Sequence, residues 1–152
     1  MNVAWKRLFW NDDDGTILAE ALLVIPVVTI FAVGILEFGN VFWQRHLLEV
    51  AVRDAARYWA RCKPTFMPCT EAIATNIALF GNPAGDGLLR VPNWDGTDSL
   101  TFDPAVPVAN PSASDTVLVI GEMTYYPSPL FGMLNIGDVT ITYSHQERYY
   151  GW

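Results

Sequence analysis

Histidine is scarce, with His46 and His145 as its two occurrences in 152 residues. No H-E-x-x-H, no G-x-S-x-G and no glycine loop ending in Lys-Ser/Thr occurs anywhere, which removes the signatures of zinc proteolysis, serine hydrolysis and phosphate-loop chemistry. His145 and Glu147 can share one face of a strand, a spacing that suits a surface ion pair far better than a metal site. Positive charge is nearly missing beyond residue 63, where Arg90 and Arg148 face nine acidic residues in a chain of net charge −7. Nucleic acid needs a basic surface, so it is excluded as a partner. Cysteine is limited to Cys62 and Cys69, and no further Cys or nearby His completes four zinc ligands. The expectation is a protein that is not an enzyme and holds no cofactor or metal.

Charged residues are 16% of the chain and hydrophobic ones 51%, and the excess is concentrated. From Ala21 to Leu36 no ionisable side chain occurs, and Glu20 and Glu37 close the two ends of this run. The wider apolar segment, 16–43, spans about 42 Å as a helix, and a bilayer core needs roughly 20 apolar residues. It is apolar on every face, unlike a surface helix. The segment therefore reads as a transmembrane helix. Pro26 lies inside it and is expected to bend it, because proline lacks the backbone donor and its ring meets the carbonyl of residue 22.

The helical pattern continues through "QRHLLEVAVRDAARYWARC". Leu47, Leu48, Ala51, Ala55, Tyr58 and Trp59 recur at spacings of three and four, with Arg45, Arg53, Arg57 and Arg61 mostly between them. An amphipathic extension to about Arg61 follows, and its basic collar suits a membrane surface or the flank of a partner helix. Cys62 and Cys69 then bracket Pro64 and Pro68, a spacing that suits a disulfide in an oxidising compartment.

The stretch "GTILAEALLVIPVVTIFAVGILEFGNVFW" has a further property. A cut after Gly15 makes Thr16 the first residue and Glu20 the fifth. That placement is shared by type IV pilins and pseudopilins. With Pro26 and the triplet Glu37-Phe38-Gly39, and with "AVRDAARYWARC" downstream, residues 12–62 resemble the TadE-like family of the tight-adherence (Flp) pilus assembly system. The chain differs from that pattern at Ala21, where an aromatic is common, and at Asp12-Asp13-Asp14, where basic residues are usual. The resemblance implies a pilin-like assembly protein whose partners are other pilin-like and pilus-assembly proteins, a prepilin peptidase and membrane lipid. It gives Gly15, Thr16 and Glu20 a processing role. Glu20, Pro26, Glu37, Phe38 and Gly39 become the helix-assembly residues. A single-pass membrane-anchored binding module that is never processed is the alternative.

Lys and Arg near the span number two before it and four after it, which by the positive-inside rule places the C-terminal part in the cytoplasm. The cysteine pair and the implied processing site point the other way. The expected arrangement is a single pass through the inner (cytoplasmic) membrane, with a cytoplasmic N-terminus and an extracytoplasmic domain.

In the remainder, "TEAIATNIALFG" predicts a helix with Thr70 as N-cap and Gly81 as stop. Strands are expected at 88–92, 98–102, 116–126 and 138–149. The segment 127–137 is a linker whose Leu130, Phe131, Met133, Leu134 and Ile136 either cap the sheet or form an apolar patch for a partner or the membrane surface. The resulting fold class is α+β, a long N-terminal helix packed on a small antiparallel sheet. The expected divisions are a leader, 1–15, a transmembrane helix, 16–43, its amphipathic extension, 44–62, and an extracytoplasmic domain, 63–152.

Overall fold

The computed structural model describes residues 13–64, 69–95, 100–112, 114–133 and 136–150. The leader through residue 12, the first two positions of the strand expected at 98–102, Leu134 and the terminal Gly151-Trp152 lie outside the described residues, as do the side chains of Leu130 and Met133.

One helix, α1, runs from Asp13 to Arg61, 49 residues, and includes Pro26 without interruption. It ends at the residue the apolar periodicity indicates, two residues before Lys63, whose helical conformation the ring of Pro64 disfavours. The chain divides into two compact units, Met1–Phe38 and Gly39–Trp152. In the first, large apolar side chains are open to the surroundings; Leu22 is 77% exposed and Phe31 69%.

The second unit is a helix-and-sheet domain. Helix α2, Glu71–Phe80, has the caps its sequence demands. The Thr70 hydroxyl accepts from the backbone N–H of Ile73 at 3.3 Å. Gly81, at φ 80°, donates its N–H to the Ile77 carbonyl, which is the left-handed stop that glycine adopts without a Cβ penalty. Strands β1 (Leu100–Asp103), β2 (Thr116–Tyr125) and β3 (Val139–Arg148) form an antiparallel sheet in that order. The register sets Gly121 opposite Tyr143 on one side and Leu100 on the other. Between β2 and β3 the chain makes a short helix, α3 (Pro129–Met133), where proline at the first position loses no hydrogen bond.

Residues 88–92 are not a strand. Leu88 is 92% exposed, whereas Val91 is fully buried, and the Arg90 N–H bonds back to the Leu79 carbonyl at 2.7 Å. The apolar run looked strand-like in sequence, but Pro92 removes a ladder donor and the segment serves as a plug carrying one side chain into the core.

Alternate residues of β2 (Val117, Val119, Gly121, Met123 and Tyr125) are buried on one face. Against them α1 lays Leu48, Ala51, Val52, Ala55, Ala56, Trp59 and Ala60. The alanines let the helix axis come close; the large residues fill what remains. Trp59 stacks at 4.9 Å from Phe102 and donates its indole N–H to the Pro104 carbonyl at 2.9 Å. Trp94 does the same to Glu122 at 2.9 Å. Both indoles are thus buried with their polar edge satisfied.

Gly121 marks the closest approach. A Cβ there would collide with Cγ2 of Val52 and would lie 3.2 Å from Cδ1 of Leu48. Gly121→Ala is expected to destabilise the domain by about 1–3 kcal/mol through overpacking. Combining it with Val52→Ala, which removes the colliding methyl, should recover part of that loss in urea titrations followed by tryptophan fluorescence.

Burial raises the phenols of Tyr58 and Tyr149 above the ordinary value of 10.0. The folded domain therefore holds these protons more tightly than the unfolded chain. The associated stability is complete below pH 10 and is lost as pH rises through the folded values. Tyr149→Phe should lower stability at neutral pH, since the Val108 N–H loses its acceptor at 3.2 Å. The same variant should show a smaller alkaline loss than the parent, as read from unfolding midpoints on either side of pH 10.

Candidate functional site

The candidate assembly segment is the first half of α1. Because the helix begins at Asp13, the Gly15–Thr16 peptide lies within its first turn. Glu20 is exposed and stands four residues from Thr16, about 6 Å along the axis and roughly 40° around it. A group on Thr16 and the Glu20 carboxylate therefore share one face.

Pro26 leaves the Leu22 carbonyl without its usual intrahelical donor. Three residues on, the Thr29 hydroxyl folds back to the Ile25 carbonyl at 2.8 Å. Gly34 and Gly39 each have open space where a Cβ would point, so packing within the described residues does not require either glycine. Phe38 is 59% exposed, whereas Glu37 is 8% exposed.

In the second unit two acidic side chains of α1 each hold an arginine. Glu49 accepts from Arg53 at 2.5 Å and from the Tyr143 hydroxyl at 3.5 Å. That hydroxyl and Glu49 together hold the Arg53 guanidinium above its ordinary value. Asp54 accepts from Arg90 at 2.8 Å, and the same nitrogen reaches the Ile77 carbonyl at 3.3 Å. One arginine thus joins α1 to the C-terminal end of α2. Neither the Tyr143 nor the Arg90 contact was visible in sequence. The signal available for Arg90 was its isolation as a lone cation in an acidic stretch.

His145 and Glu147 meet at 3.1 Å, with side chains 24% and 20% exposed, and the Tyr150 hydroxyl donates to the other Glu147 oxygen at 3.2 Å. Arg61 lies over the Tyr150 ring at 5.5 Å. Cys62 and Cys69 are disulfide-bonded, with Cα atoms 5.7 Å apart. A cleft of about 340 Å³ beside them is lined by Arg57, Tyr58, Arg61, Lys63 and Ile77. Among the described residues no three His, Cys, Asp or Glu side chains gather where a metal ion would fit. His46 and His145 do not come together; His46 faces Glu49 at 4.0 Å instead.

Among the described residues one helix, reaching from Gly15 to Arg61, is long and apolar enough to cross a membrane. No curated protein and no solved structure matches the chain. The family model described as TadE-like protein matches residues 15–57, the span that contains Gly15, Glu20, Pro26 and Glu37-Phe38-Gly39, and over that span the chain is similar to this family.

Proposed function

We propose that this protein is a membrane-anchored, pilin-like component in the assembly of a tight-adherence (Flp) type IV pilus. It acts through contacts of its helix rather than by catalysis. The observation that carries this reading is the TadE-like match over residues 15–57, which begins at the glycine preceding the proposed cut and ends inside the domain helix. The apolar, exposed first half of α1 supports the anchor. The Cys62–Cys69 bond supports an oxidising compartment for the domain, and with it a cytoplasmic N-terminus at the inner membrane.

In this reading a prepilin peptidase cleaves after Gly15 and Thr16 acquires an α-ammonium. Glu20 is then the nearest carboxylate able to neutralise it, on the same chain or on a neighbour. At the edge of a lipid-embedded helix an unpaired charge costs several kcal/mol. Pairing of Glu20 with a neighbour's ammonium favours the assembled, charge-neutral state over isolated helices.

A single-pass binding module that keeps its leader is the second reading, and Asp12-Asp13-Asp14 directly before Gly15 favours it. The intact mass of the protein from its native membrane separates the two, since only processing yields a chain beginning at Thr16.

Glu20→Gln keeps the shape and removes the charge. It should spare membrane insertion while reducing cross-linking to pilus partners or pilus-dependent adherence tenfold or more, about 1.4 kcal/mol. Wild-type assembly by this variant would rule out charge pairing.

Alkylation of native, unreduced membranes should leave Cys62 and Cys69 unmodified. Reduction should lower domain stability by about 2–3 kcal/mol on the chain-entropy account. Rapid modification of both thiols without reductant would place the domain in the cytoplasm.

A further inference from the structure

Within the unit Gly39–Trp152, the direction of α1 relative to the sheet is fixed by two contacts at opposite ends. The Asn40 amide donates to the Tyr125 hydroxyl at 3.1 Å, and the Tyr150 N–H donates to the Ala60 carbonyl at 3.3 Å. Tyr125 pairs with Val139, the last rung of the β2–β3 ladder before its connection. Residues 126–133 and 136–138 therefore lie at the Asn40 end of the domain. The disulfide and the loop after β1 lie at the other end, about 30 Å farther along the helix.

The connection at the Asn40 end is unusual in composition. From Tyr126 to Gly137, twelve residues pass without an acidic or basic side chain. Phe131 is buried and holds α3 to the domain, but Tyr126 is 61% exposed and Ile136 and Val139 are each 41% exposed. On α1 at this same end, Phe42 is 64% and Trp43 55% exposed. Arg45 and His46 follow, both exposed. Aromatic residues succeeded by a cation are the pattern of a chain leaving hydrocarbon for headgroups.

We propose that the β2–β3 connection is a lipid-contacting foot. In this arrangement Tyr126, Ile136 and Val139 sit at the bilayer interface at the level of Phe42 and Trp43, so the domain rests on the membrane through two chain segments. The absence of charge from 126–137 matches the acyl–headgroup boundary, and Arg45 faces the phosphates. A second copy of the chain or a pilus protein on this surface is the competing occupant. The proposal rests on the reading of α1 as a membrane anchor.

The test uses the full-length protein in phosphatidylcholine–phosphatidylglycerol vesicles at high lipid-to-protein ratio. The environment-sensitive fluorophore NBD is attached at Ile136→Cys, at Tyr126→Cys, at Val28→Cys within the apolar run, and at Val106→Cys, an exposed site at the far end of the domain. Blue-shifted emission at 126 and 136, quenched by nitroxides placed near the headgroups, with 106 remaining water-like, is the expected result. If 28 is quenched by deep nitroxides while 126 and 136 stay water-like, the anchor stands and the foot is wrong. A blue shift at 136 without nitroxide quenching means protein covers the site and overturns the lipid assignment. If 28 is not quenched, the anchor reading fails and takes the foot with it.

Discussion

The domain depends on one missing methyl group. At Gly121 the helix α1 comes so near to β2 that Val52 and Leu48 occupy the space a side chain would need. This close seat brings Ala51, Ala55, Ala56 and Ala60 into the core and leaves Trp59 the volume between helix and sheet that Phe102 completes. The indole N–H of Trp59, carried on α1, finds the Pro104 carbonyl across this seat. A looser seat would bury the same apolar area less completely and would leave the Trp59 donor short of its acceptor, at a cost on the order of 1–3 kcal/mol.

Much of this could be read in advance because it rests on local rules. The apolar run, the periodicity to Arg61, the Thr70 and Gly81 caps and the alternation of β2 and β3 are all short-range signals, and the structure contains each of them. The expected strand at 88–92 failed for a tertiary reason. Burial of Val91 in the core and the tie from Arg90 to Leu79 won over strand propensity, and Pro92 offered no ladder donor. Gly121 was equally silent in sequence, since a glycine inside a strand becomes meaningful only once the element crossing it is known.

The candidate site divides in the same way. Gly15, Glu20, Pro26 and the Glu37-Phe38-Gly39 triplet are recognisable because their spacing along a single helix is their arrangement in space. The contacts of Glu49 with Tyr143 and of Asp54 with Arg90 join residues far apart in the chain. No periodicity reports such pairs.

The end of α1 has a mechanical consequence. Helices ordinarily fray at their C-termini, where the last carbonyls lack partners. Here the Ala60 carbonyl accepts from Tyr150, the Cys62 N–H bonds to Trp59, and Cys62 is covalently joined to Cys69. Tension applied along the helix toward its N-terminal half would therefore reach β3 and the start of α2 through separate attachments, instead of unwinding the last turn.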